Sequence, residues 1–247
     1  MSWPLEGYRA VLFDLDGVLT DTARVHMAAW KTMFDEVLRA RAEATGEPFV
    51  PFSEADYHRH VDGKPRYDGV RDFLASRGIE LPEGTPDDPP EADTVHGLGN
   101  RKNVLVNQLL DDGVVVYPGS VRLVEHLRDI GVRRAVVSSS KNCQAVLEAG
   151  GIADLFEVRV DGVVAAEEGL PGKPAPDIFL AAARRLGVPP AEAVVVEDAV
   201  SGVQAGRAGR FGLVVGVDRR DDPQRLLDAG ADLVVADLAE LLTDGAR

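Results

Sequence analysis

Val11-Leu12-Phe13-Asp14-Leu15-Asp16-Gly17-Val18-Leu19-Thr20-Asp21-Thr22 is an apolar run that stops at two aspartates one residue apart, with a glycine directly behind them. Two carboxylates held side by side repel, so such a pair either shares a cation or keeps one member protonated. Asp14 suits a bound divalent cation, and Asp16 then stays available for proton transfer. Gly17 has no side chain and accepts unusual dihedrals, which lets its backbone approach a ligand closely. The same residues could simply turn the chain after a buried strand and cap the next helix. The rest of the chain decides between these two uses.

Short apolar runs recur downstream: Ala135 to Val137, Ala193 to Val196, Leu213 to Val217 and Leu233 to Val235, in addition to Ala10 to Phe13. They read as strands buried on both faces. Between them Val121, Val124, Leu127 and Ile130 repeat at helical spacing, as do Ile178, Ala182 and Leu186, with Gly131 and Gly187 as stops. Alternating strands and helices predict an α/β fold with a doubly wound parallel sheet, whose ligands sit beyond the carboxyl ends of the strands. One stretch breaks the alternation. From about residue 23 to residue 112 there is no buried-strand run, but Val25, Ala28, Ala29, Met33, Val37 and Leu38 predict one amphipathic helix, and Val70, Phe73 and Leu74 part of another. We therefore expect a catalytic core of residues 1–22 and 113–247 with a helical cap, residues 23–112, inserted after the first strand. Thr22 and the Asp112 to Val116 crossing are the expected hinges. The acidic, proline-rich stretch Pro82 to Asp93 reads as an exposed cap loop without a catalytic part.

Composition narrows the possible partners. The 247 residues are 45% hydrophobic and 28% charged, as in an ordinary globular protein, and long enough for a core domain with a companion. A formal net charge of −14 without a basic stripe argues against nucleic acid. A single cysteine, Cys143, excludes an intrachain disulfide and a cysteine-rich zinc site. No apolar run reaches the ~18 residues of a membrane helix, so no membrane partner and a cytoplasmic location are expected.

If the strand tips share one site, the residues behind each apolar run should be chemically related. Behind Val137 stands Ser138-Ser139-Ser140-Lys141-Asn142, which suits phosphate held by hydroxyl and backbone N–H groups and equally suits a helix cap. Lys173, framed by Gly172 and Pro174, is a point charge for phosphate or carboxylate, or a solvated loop lysine. Behind Val196, Glu197 and Asp198 form an oxygen-donor pair for a hard divalent ion.

In chain order, Asp14-Leu15-Asp16-Gly17, Ser138, Lys173 and Glu197-Asp198 resemble the four motifs of the haloacid dehalogenase superfamily. The resemblance implies Asp14 as the nucleophile that becomes an aspartyl-phosphate and Asp16 as general acid and base. It implies Mg2+ held by Asp14, Asp16, Glu197 and Asp198, and Ser138 and Lys173 as binders of the transferring phosphoryl group. Asp16 and the Glu197-Asp198 pair argue against the dehalogenase branch, which needs neither.

Thr20 to His26 with Trp30, Gly63-Lys64-Pro65-Arg66 and Arg101-Lys102-Asn103 are similar to the cap entry and cap loops of the β-phosphoglucomutase-like family. That resemblance implies a phosphorylated hexose as substrate, with glucose 1,6-bisphosphate as intermediate and activator. It also implies a distal site made by His26, Arg66, Lys102, Ser140, Lys141 and Asn142. Asp62, just before Gly63, departs from that pattern, where a basic residue is expected. A sugar-phosphate phosphatase is the alternative on the same scaffold, a non-catalytic phosphosugar-binding protein a remoter one. Trp30 reads as packing, and a monomer is expected.

Overall fold

The computed structural model describes residues 4–110 and 113–242. In chain order its elements are β1 (Ala10–Phe13), α1 (Ala23–Thr45), the single turn α2 (Glu54–Asp56), α3 (Arg66–Ser76), α4 (Val95–Leu110), α5 (Pro118–Asp129), β2 (Arg133–Val137), α6 (Cys143–Ala149), β3 (Val158–Val160), α7 (Gly162–Glu168), α8 (Asp177–Leu186), β4 (Ala193–Glu197), α9 (Val200–Ala208), β5 (Leu213–Val217), α10 (Gln224–Ala229) and β6 (Leu233–Val235). The chain divides into two compact units, Met1–Asp21 with Val114–Arg247, and Thr22–Gly113. Asp112, within the expected second hinge, lies outside the described residues. No helix among the described residues is long and apolar enough to cross a membrane.

The first unit holds the expected parallel sheet, six strands in the order β3-β2-β1-β4-β5-β6. β1 lies in the middle, pairing with β2 on one side and β4 on the other, and all four of its residues are buried. This explains its unbroken apolar run, since no face of a central strand meets water. The five strands read from sequence are present, and β3 is an addition to them. It was not expected because Val158-Arg159-Val160 is a three-residue edge strand with an arginine at its centre, so it carries no continuous apolar signal. Beneath the sheet, α8 buries Ile178, Phe179, Ala181, Ala182, Ala183 and Leu186, and ends at Gly187 in the left-handed conformation.

The second unit has an apolar core of its own. The α1 helix buries Ala29, Trp30, Met33, Phe34 and Leu38; Ala28, expected on that face, is exposed instead. Trp30 stacks on Phe34 at 5.2 Å, and Phe34, Phe52 and Phe73 close a ring cluster with centroids 4.2–5.1 Å apart. Trp30 is thus a packing residue, as read from sequence. The α4 helix was not anticipated, because Gly97 and Gly99 lower helix propensity and Asn100, Arg101, Lys102 and Asn103 hide its apolar period. Packing accounts for the glycine at 99: a Cβ there would lie 2.6 Å from the Tyr67 ring. The acidic loop is exposed, but it is tied to α4, with Asn100 Nδ2 donating to the carbonyls of Pro86 and Asp88 and Arg101 Nε to that of Pro90.

Phe73 is fully buried at the centre of the ring cluster. Phe73→Ala should destabilise this unit by about 3–5 kcal/mol through lost transfer energy and the cavity left behind. Hydrogen exchange should accelerate at the amides of α1 and α3 while β1 and β4 keep their protection. Acceleration in all four elements alike would mean that the two units unfold as one.

Candidate active site

The sheet register brings the first and fourth motifs together. Asp14 follows the last residue of β1, and its N–H donates to the carbonyl of Val196 at 2.9 Å, so the chain leaves β1 beside Glu197, the last residue of β4. Between β1 and β4 the strand order reverses, and there the connections diverge to leave a crevice at the carboxyl edge. Asp14, Glu197 and Asp198 each present a carboxylate oxygen, all within 4.8 Å of one another and all on buried residues.

Lys173 enters this cluster from the segment before α8. Its Nζ lies 2.5 Å from Asp14 Oδ1, 2.5 Å from Glu197 Oε1 and 3.3 Å from the carbonyl of Val137, and the residue is only 2% exposed. Burial works against the ammonium, but Asp14 and Glu197 outweigh it and hold Lys173 charged above the ordinary lysine range. Burial pushes the Asp14 carboxyl well above the usual carboxylate range; Lys173 opposes this, while Glu197 and Asp16 add to it. The second oxygen of Glu197 accepts from the N–H of Ala199 at 3.1 Å, and a Cβ at position 202 would overlap this carboxylate, so Gly202 makes its room.

A divalent cation fits this donor set. Three buried carboxylates against one ammonium leave two negative charges in excess among these four groups, and all the donors are oxygens, as a hard cation requires. Gly17 keeps the two loops in register. Its φ of +86° is accessible to glycine, and a Cβ there would run into the Asp198 carboxylate. Asp16 is half-buried on the same turn, where the N–H of Gly17 donates to the carbonyl of Thr20 at 2.8 Å.

Ser138 is buried at the tip of β2, directly after the Val137 carbonyl that Lys173 contacts. Its Oγ accepts from the N–H of Ser140, and the Ser140 Oγ accepts from the N–H of Asn142, so the serine run builds a tight turn before α6. Capping and phosphate binding are compatible here, since a hydroxyl that accepts still has its own proton to donate. Lys141 is exposed and Asn142 half-buried.

In the second unit, Lys102 is buried with its Nζ 2.6 Å from His26 Nδ1 and 4.9 Å from the centre of the Trp30 ring. Arg66 donates to Asn103 Oδ1 at 2.6 Å, and burial lowers its guanidinium from the ordinary arginine value. His26 thus pairs with Lys102, and Arg66 with Asn103, both within this unit. Asp62, the departure noted in the sequence, lies 3.0 Å from His58 Nδ1. No residue pattern could have signalled the Val137 carbonyl or the Ala199 N–H as partners, because both are backbone groups.

Known proteins bear on this geometry. The family model of the haloacid dehalogenase-like hydrolases matches residues 8–210, and a β-phosphoglucomutase of Mycobacterium bovis is 58% identical over 242 residues, covering 96% of this chain and 92% of that one. The chain belongs to the haloacid dehalogenase-like family, in its β-phosphoglucomutase group. A second relative of this haloacid dehalogenase-like protein, the β-phosphoglucomutase of Bacillus subtilis, is 32% identical, covering 94% of this chain and 91% of the relative. The crystal structure of β-phosphoglucomutase from Clostridium difficile superposes with a TM-score of 0.74 at 26% identity, covering 96% and 95% of the two chains.

Proposed function

We propose that this enzyme is a β-phosphoglucomutase, converting β-glucose 1-phosphate to glucose 6-phosphate through an aspartyl-phosphate on Asp14. The observation that carries this reading is the convergence of Asp14, Lys173, Glu197 and Asp198 in one buried cluster, in a chain similar along its length to enzymes of that name. In the first half-reaction an oxygen of Asp14 attacks the phosphorus of the bisphosphate, and the bond to the sugar oxygen breaks. Asp16 gives that oxygen its proton. In the second half-reaction a hydroxyl of the sugar monophosphate attacks the phosphoryl group, Asp16 takes the hydroxyl proton, and the Asp14 carboxylate is regenerated. Lys173 and Ser138 bind the equatorial phosphoryl oxygens, Lys173 with full charge and Ser138 by donating its O–H.

Asp14, the backbone carbonyl of Asp16, Glu197 and Asp198 would hold Mg2+, which when bound offsets charge on the transferring phosphoryl group. Arg66, Ser140, Lys141 and Asn142 are assigned to the phosphate that does not react, and His26 and Lys102 to positioning of Asp16 or to sugar hydroxyls. Glucose 1,6-bisphosphate serves as the phosphoryl donor that primes Asp14. We place the enzyme in the cytoplasm as a monomer.

A coupled assay tests the reading. With β-glucose 1-phosphate, Mg2+ and a trace of glucose 1,6-bisphosphate, glucose 6-phosphate should accumulate and free phosphate should not. Phosphate release without glucose 6-phosphate would make the protein a phosphatase. Arg66→Ala should lower mutase turnover by about 100-fold, a loss of roughly 2–3 kcal/mol for a charged contact to phosphate. Hydrolysis of a small aryl phosphate by that variant should change little, and equal losses would remove Arg66 from the distal site.

A further inference from the structure

We infer that Arg219 and Arg225 are positioning residues that brace, from a single segment after β5, the loop carrying Asp14 and Asp16 and the loop carrying Asp198. Arg219 Nε donates to the carbonyl of Gly17 at 2.7 Å, and Arg225 donates from a terminal guanidinium nitrogen to the carbonyl of Asp198 at 3.0 Å. These two acceptors flank the place where the loops meet, since a Cβ at Gly17 would collide with the Asp198 carboxylate. Each arginine therefore grips one side of a contact that has no slack. This assignment rests on the phosphoryl-transfer reading of Asp14, Asp16 and Asp198.

The arginines are themselves fixed. A second nitrogen of Arg219 donates to the carbonyl of Ala236 at 3.1 Å, and its guanidinium carbon lies 3.8 Å from the centre of the Tyr117 ring. The Tyr117 hydroxyl donates to Asp21 at 3.1 Å, so the same assembly reaches the far end of the loop that begins at Asp14. Burial keeps Tyr117 protonated, pushing it up to about 12, against the pull of Arg219 and with help from Asp21; the hydroxyl is thus a permanent donor. Arg225 lies 3.9 Å from Asp218, whose carboxylate also accepts from the N–H of Arg220 at 3.0 Å, so the segment is folded on itself as it presents the two side chains. A planar guanidinium can bond a carbonyl and stack on a ring at once, which lysine cannot do. Hydrogen bonds from a charged donor are also shorter and stronger than neutral ones.

Met variants remove the donors and keep the apolar stems. In the full-length protein, Arg225→Met should weaken Mg2+ binding by about 10-fold, as loss of an outer partner of a metal ligand does, read by calorimetric titration of the metal alone. Arg219→Met should lower kcat by about 10- to 100-fold, the effect of a displacement near 1 Å, with KM for β-glucose 1-phosphate within about twofold. Arg219→Lys and Arg225→Lys should recover part of each loss, and they carry the comparison if a Met variant fails to fold. Mg2+ affinity and kcat equal to those of the parent, or losses that follow only the drop in Tm and vanish on cooling, would overturn the assignment. Asp14→Asn belongs in the same series: turnover retained by it would sink the phosphoryl-transfer reading, and the Mg2+ titration would still decide the role of Arg225.

Discussion

Asp14→Asn is expected to abolish turnover, lowering kcat by about 10^4-fold or more, because a covalent route that loses its nucleophile has no weaker substitute in the site. The same change should leave the metal-free protein at least as heat-stable as its parent. Burial and the neighbouring carboxylates raise the Asp14 carboxyl, so the folded state bears a penalty for ionising it at neutral pH. That penalty is present above the raised folded value and disappears as the pH falls below the ordinary carboxylate value, where Asp14 is protonated in both states. Asparagine removes it at neutral pH. Stabilisation by Mg2+ should shrink in the variant, since a ligand at free concentration c that binds only the native state stabilises it by RT ln(1 + c/Kd), which falls as binding weakens. Two thermal melts, with and without Mg2+, and one activity assay check the set. Residual activity above a thousandth of the parent would take the nucleophile's role away from Asp14.

Lys173→Met should lower kcat by about 10^3-fold, the scale of removing a preorganised positive contact to a transferring group. Unlike Asp14→Asn, it should also destabilise the metal-free fold by about 3–5 kcal/mol, because it removes the charge that sits between two buried carboxylates. Added Mg2+ should restore part of that stability and more of it than in the parent, the cation taking over a charge the lysine supplied. Recovery of stability with no recovery of kcat would separate the two jobs of this ammonium. A variant that keeps a tenth of the parent's turnover would confine Lys173 to holding the fold.

Much of this site was legible in the chain. Asp14, Ser138, Lys173 and Glu197 with Asp198 stand just behind apolar runs or between two prolines and a glycine, and a parallel sheet sends the end of every strand to one edge. The same logic failed at β3, where an edge position relaxes the demand for apolar residues and Arg159 interrupts the pattern. It failed at α4 for the opposite reason, since Gly99 is there to clear Tyr67, a tertiary requirement that local propensity counts against the helix. Arg219 and Arg225 were invisible. In Asp218-Arg219-Arg220-Asp221-Asp222-Pro223-Gln224-Arg225 they look like any solvated run of charges, and their acceptors are backbone carbonyls that every residue possesses.

The central position of β1 has a consequence for how the chain is made. β1 emerges first from the ribosome, but its neighbours β2 and β4 begin at Arg133 and Ala193, with the whole of Thr22–Gly113 in between. At about 5–20 residues per second, β4 follows β1 by roughly 10 to 40 s. Until β2 is made, a strand built to be covered on both faces has nothing to pair with, and its other edge stays open until β4 arrives. The aromatic cluster of Trp30, Phe34, Phe52 and Phe73 is complete long before then, so the inserted unit can fold while the sheet around Asp14 is still waiting for its second half.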